Sequence, residues 1–248
     1  MNKNALIRRF LIVLFWLGLW QLISLAVHNS ILLVGPFDMI KALFSQAATA
    51  DFWKSIAFSF GKISLGFLGA FISAILLAGL AYRVHFLEEL LAPFMTLVTS
   101  IPVASFVILA LIWIGSGMLS VFCSFLVVFP VIYVNTLAGL RSTDRQLLEM
   151  ASVFDMPAWK RIHYIYRPAV FPYLVSSCKI ALGMSWKSGI AAEVIGVPDY
   201  SIGERLYMSK IYLDTANLFA WTFVIIIISA LFERFFLMLL KRAVGRGC

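Results

Sequence analysis

The sequence predicts an all-α integral membrane protein with about six transmembrane helices, and three observations carry that prediction. Of its 248 residues, 62% are hydrophobic and only 13% charged, against about 45–50% and about 25% in ordinary soluble domains. Six apolar segments are each long enough to cross a bilayer, whose hydrocarbon core of about 30 Å takes about 20 helical residues. The basic residues gather on alternate connections between those segments.

The six segments run approximately 10–27, 56–81, 90–113, 119–140, 169–195 and 218–240. Lys3, Arg8 and Arg9 precede the first and give it the look of a secretory signal. The apolar run exceeds a signal core, however, and residues 24–30 offer no convincing small-x-small cleavage site, so a retained first span is expected. In the connection that follows, Gly35-Pro36 introduces Phe37, Ile40, Leu43 and Phe44 at helical spacing. That pattern predicts an amphipathic helix along the outer interface.

Gly61, Ser64, Gly66, Gly69 and Ala70 line the second segment with small side chains that permit close helix packing. Pro102 and Pro130 interrupt the third and fourth segments. Each is a hinge candidate, with a simple kink the equal alternative.

With the amino terminus in the cytoplasm, twelve of the 20 Lys and Arg residues fall on the inner side and four, Lys41, Lys54, Arg205 and Lys210, on the outer. This is the positive-inside bias, and six spans then return the carboxyl terminus to the cytoplasm. Topology also accounts for the net charge of +8, because no basic stripe marks a nucleic-acid surface. No nucleic-acid partner is expected; the lipid bilayer is.

Cys123, Cys178 and Cys248 are scattered, which predicts neither a disulfide nor a metal site. His28, His85 and His163 form no cluster, and no Ser/His/Asp set or paired carboxylates appear, so an enzyme reading has no support. The string from Gly183 to Lys187-Ser188 lacks the second glycine of a phosphate-binding loop and lies in a span. No cofactor of its own is expected for this chain.

Lys187 and Glu193 are the charges within the fifth segment. Each costs about 2.5–3.5 kcal/mol to insert in hydrocarbon, so each should face a cavity, a neighbouring helix or an interface. Six residues separate them, on different helix faces, so no mutual salt bridge is inferred. Lys187 attracts an anionic solute or snorkels, two readings of equal weight. Glu193 is favoured as a helix-end or dimer contact, and Trp186 is a pathway or packing candidate.

The connection 141–168 carries five basic and three acidic residues and predicts two short helices. Thr143-x-x-Gln146 fits a capping box, after which Leu147, Ala151 and Phe154 share a face. The helix should stop near Asp155, because Pro157 disfavours helical geometry at Met156 and suits a first helical position. Trp159, Ile162 and Tyr166 then line a second helix, before Pro168 breaks into the fifth span. So apolar a helix pair outside the membrane implies a docked partner.

Glu149-Met150-Ala151-Ser152-Val153-Phe154-Asp155, closed by Pro168, resembles the E-A-A-x-x-x-G signature of permeases from binding-protein-dependent ABC importers. Met150 replaces Ala, and Asp155 replaces Gly at a turn where Asp tolerates a left-handed backbone. The stretch from Lys179 to Gly196, then Ser201-Ile-Gly203 and Lys210 to Thr215, is similar to the nitrate, sulfonate and taurine branch.

That resemblance, with Leu32 to Pro36, covers nearly all of the chain as one permease domain, 1–248. It implies a type I importer fold and a homodimer. It also implies a separate ATPase subunit holding ATP and Mg, and an external substrate-binding protein. Arg145, Glu149, Ala151, Phe154, Asp155 and Trp159 would then seat on the ATPase. A secondary transporter or channel is the rival reading, and a membrane scaffold the third.

Overall fold

The computed structural model describes residues 3–245 except Ser30. Arg246 and Cys248, and the side chains of Lys3 and Arg9, lie outside the described residues. Among the described residues the chain is helical and contains no strand: α1 Lys3–Val27, α2 Pro36–Ala47, α3 Ala50–Arg83, α4 His85–Ser100, α5 Val103–Ile114 and α6 Leu119–Arg141. Then come α7 Arg145–Val153, α8 Ala158–Arg161, α9 Arg167–Gly196, α10 Ile202–Ile211 and α11 Thr215–Gly245.

Helices α3, α6 and α9 make the centre, with α6 packed most extensively on the other two. Small residues explain how the backbones approach. Ala70, Ala74, Ala78 and Ala81 are buried along one face of α3. A methyl group at Gly66 would strike the Val121 carbonyl. One at Gly189 would stand 2.7 Å from Ile63 Cγ1 and 2.8 Å from Ser124 Oγ. Gly61, by contrast, faces open space. Around this centre Phe67, Trp186, Phe232 and Phe236 interlock as tilted and edge-to-face rings, arrangements that add to simple area burial.

Among the described residues, four helices are long and apolar enough to cross a membrane: Phe10–Val27, Ala50–Arg83, Ser116–Arg141 and Thr215–Arg242. The expected third span is not one helix. α4 and α5 meet at 106°, because Ile101 and Pro102 are both extended, with ψ of 130° and 131°. Proline disfavours the helical region for the residue before it, and here Ile101 is extended, which turns the expected kink into a break. At 16 and 12 residues, the halves are about 24 and 18 Å long and neither crosses alone.

The segment expected as a fifth span falls on α9, which has the length, 30 residues, but is not among the four apolar spans. Its inner face carries buried Ser177, Ser185, Ser188 and Glu193, and Lys179 and Lys187 are exposed. Pro130 is buried within α6, which continues unbroken through it. Pro168 does not interrupt its helix either. A π-helical turn, Ile162–Tyr166, joins α8 to α9 without a gap, and such wider turns absorb the missing amide and the bulk of a proline ring.

α2 forms where its amphipathic pattern predicts, with Pro36 in its first turn. Met39 is buried, while Phe37, Ile40 and Phe44 are exposed. It packs on α11, and Gln46 Nε2 donates to Asn217 Oδ1 at 3.2 Å. α1 lies at the edge, held by the Trp20–Phe219 ring contact and by the Ser24 hydroxyl donating to the Leu33 carbonyl.

Candidate functional site

The connection between α6 and α9 is built from α7 outward. Asp144, not Thr143, caps the helix: its carboxylate accepts the Gln146 N–H at 2.8 Å. The Thr143 hydroxyl is buried without a partner. Two adjacent residues are both good caps, and the chain selects the one whose side chain reaches the free amides.

At the other end α7 closes in a Schellman turn. Met156 N–H donates to the Ala151 carbonyl at 2.9 Å and Asp155 N–H to the Ser152 carbonyl at 3.2 Å. Asp155 has φ of +45°, the left-handed position that the motif usually gives to glycine. Pro157 is the N-cap of α8, one place earlier than expected.

This turn divides the side chains into two sets. Val153 is 80% exposed, Phe154 and Trp159 75% each, with Leu147 and Met150 about half exposed. Ala151 is fully buried. Ala151, expected to let a partner approach closely, is thus covered within its own chain. Arg145 and Glu149 are exposed and paired at 3.5 Å on the outside of α7.

Sequence reasoning missed Arg161. Its Nε donates to the Met156 carbonyl at 2.8 Å and its Nη2 to the Ala151 carbonyl at 3.2 Å. It stood in the sequence only as a basic neighbour of Lys160; its position past the C-terminus of α7, where arginines satisfy free carbonyls, was the available signal.

The second cluster is centred on Glu193, which is fully buried. The Ser59 hydroxyl donates to its Oε2 at 2.6 Å, and the Gly203 N–H at 3.2 Å. Ser59 in turn accepts the Ile202 N–H at 2.9 Å, and Ser201 caps α10 by accepting the Glu204 N–H. A carboxylate at a helix N-terminus meets both free amides and the positive end of the dipole. Gly203 is required here, because a methyl group on it would overlap the Glu193 side chain. α3, α9 and α10 are thus joined by one acid.

Trp186 is buried between Phe60 and Phe232, which places it in the core and not along an open path. Lys187 is exposed, as is Lys179, and neither makes an ion pair among the described residues. Pro102 sits at the α4–α5 break; Pro130 and Pro168 lie within continuous helix.

Comparison with known proteins agrees with this architecture. The binding-protein-dependent transport system inner membrane component family matches residues 66–247. The chain is 24% identical over 224 residues to SsuC of Bacillus subtilis, named as an aliphatic sulfonates transport permease, covering 88% of this chain and 80% of that one. With the taurine transport system permease protein TauC of Escherichia coli it shares 24% over 223 residues, 86% and 80% of the two chains. The riboflavin transport system permease protein RibX of Chloroflexus aurantiacus is 27% identical over 138 residues, 55% and 51% of the two. An all-helical chain with several apolar spans, matched by that family over most of its length, belongs to the inner-membrane components of binding-protein-dependent transport systems: it is a permease subunit of an ABC transporter.

Proposed function

We propose that this subunit works as a homodimer, driven by a separate ATPase that binds ATP and Mg, and fed by an external binding protein. Its solute is a small anionic or polar organic compound. The observation that carries the reading is the exposed apolar set Val153, Phe154 and Trp159 on an otherwise tightly bonded turn. Large apolar side chains held rigidly in water are the signature of a docking surface. Arg145 and Glu149 flank it as polar contacts, and Asp155 shapes its turn. With this loop inside, the positive-inside bias puts both termini in the cytoplasm.

The pairing of two copies is supported by α9. Lys179 and Lys187 are exposed on a helix packed at the centre of the bundle, where facing lipid would cost about 2.5–3.5 kcal/mol each. A wet path between two copies removes that cost and gives anions a cationic wall. A relative is named for aliphatic sulfonates, whose charge suits such a wall, and another for taurine, which carries the same sulfonate group.

The test is co-purification of the permease with its ATPase, for wild type and Phe154→Asp. Retention of the ATPase by wild type and its loss from a folded variant supports the docking role. Retention by both overturns the docking role of Phe154 and moves the ATPase contact to another part of the subunit.

A further inference from the structure

We propose that Arg161 is a positioning residue that makes α7 and α9 move as one piece, and so carries ATP-driven motion from the loop into the membrane. The inference rests on the docking role proposed above for the loop. Among the described residues α7 packs broadly on no other helix. Between it and the continuous helix that starts at Ala158 lie only Phe154 to Pro157, a stretch with a left-handed residue at Asp155 and an extended one at Pro157. Such a joint, left alone, bends.

Arg161 lies on the far side of that joint and reaches back over it. Its two bonds go to carbonyls at different points, Ala151 within α7 and Met156 beyond it, at 3.2 and 2.8 Å. Two separated contacts fix an angle, whereas one would leave a swivel. The forked guanidinium suits this, since its donors diverge in one fixed plane, whereas the three donors of an ammonium share a single nitrogen. The side chain is half-buried, and its charge faces the negative end of the α7 dipole. Neighbouring Lys160 is exposed and makes no ion pair among the described residues.

The experiment uses the permease–ATPase complex in nanodiscs, with an environment-sensitive fluorophore on Ser176→Cys, an exposed position of α9. Native Cys123 and Cys178 are buried. Wild type should change fluorescence when ATP is trapped with vanadate. Arg161→Ala should keep its ATPase and its hydrolysis, yet lose about threefold or more of the fluorescence change, within the range by which residues on a coupling route alter it. Arg161→Lys should fall between.

An Arg161→Ala signal equal to wild type overturns the proposal. So does a parallel fall of ATPase retention, hydrolysis and signal, which would mark Arg161 as a folding residue only. Phe154→Asp separates the two readings: if that variant keeps its ATPase, the docking role itself has failed.

Discussion

The Ser59 hydroxyl and the Glu193 carboxylate, 134 positions apart, meet at 2.6 Å inside the bundle. The contact satisfies one oxygen, Oε2, of an acid that hydrocarbon would otherwise penalise, and the Gly203 N–H on the same oxygen seats α10 on the end of α9. Removing one partner strands the other in a dry site, at about 1–3 kcal/mol. Ser59→Ala and Glu193→Ala should each lower the thermal unfolding midpoint in detergent, and Glu193→Gln should lower it less than Glu193→Ala. The double variant should lose less than the sum of the singles; full additivity would mean that the two groups act independently.

Asp155 occupies a backbone position that costs most L-residues about 1–2 kcal/mol and Asp somewhat less. Asp155→Gly should therefore leave stability unchanged or raise it by up to about 1 kcal/mol, while Asp155→Val should lower it by about 1–2 kcal/mol. Paired unfolding curves of the two variants decide the point. Equal effects would show that the left-handed turn is not under strain.

Gly189 and Gly61 form a matched pair for testing the central packing. Gly189→Ala presses on Ile63 and Ser124, whereas Gly61→Ala meets nothing within 4 Å. Overpacking costs about 1–3 kcal/mol, so the first should express poorly or unfold early and the second should match wild type. Yield and melting temperature in detergent measure both.

Lys187→Glu replaces an exposed cation on α9 by an anion. If Lys187 lines the solute path, uptake of an anionic probe such as ethanesulfonate should drop about tenfold, a change equivalent to about 1.4 kcal/mol, with ATP hydrolysis in the absence of solute unchanged. Unaltered uptake would assign the side chain to the interface.

Much of this fold was legible in the sequence because apolar length is a physical requirement of the bilayer, and α1, α3, α6 and α11 satisfy it plainly. The break at Ile101–Pro102 was legible as a proline but not as a 106° turn, since the angle depends on what α4 and α5 pack against. α9 was read as an apolar span, yet it buries Glu193, whose Oε2 is held by Ser59 from far away in sequence, and serines of which Ser177 and Ser188 donate to carbonyls one turn back. Within the candidate site, Phe154 and Trp159 could be recognised from their type alone. Which face of α7 turned outward could not, since the burial of Ala151 depends on how the loop folds back. Arg161 and Ser59 were invisible because their roles are defined by carbonyls and a carboxylate that only folding brings near.

The uninterrupted helical path from Ala158 through the π turn to Gly196 has a mechanical meaning. At 1.5 Å per residue it is a rod of about 58 Å, gripped at one end by the Arg161 bonds and at the other by Glu193 and α10. A rod without a joint does not fold to open a gate; it tilts, and its two ends swing in opposite directions. A small push on the loop would then narrow one mouth of the pathway as it widens the other.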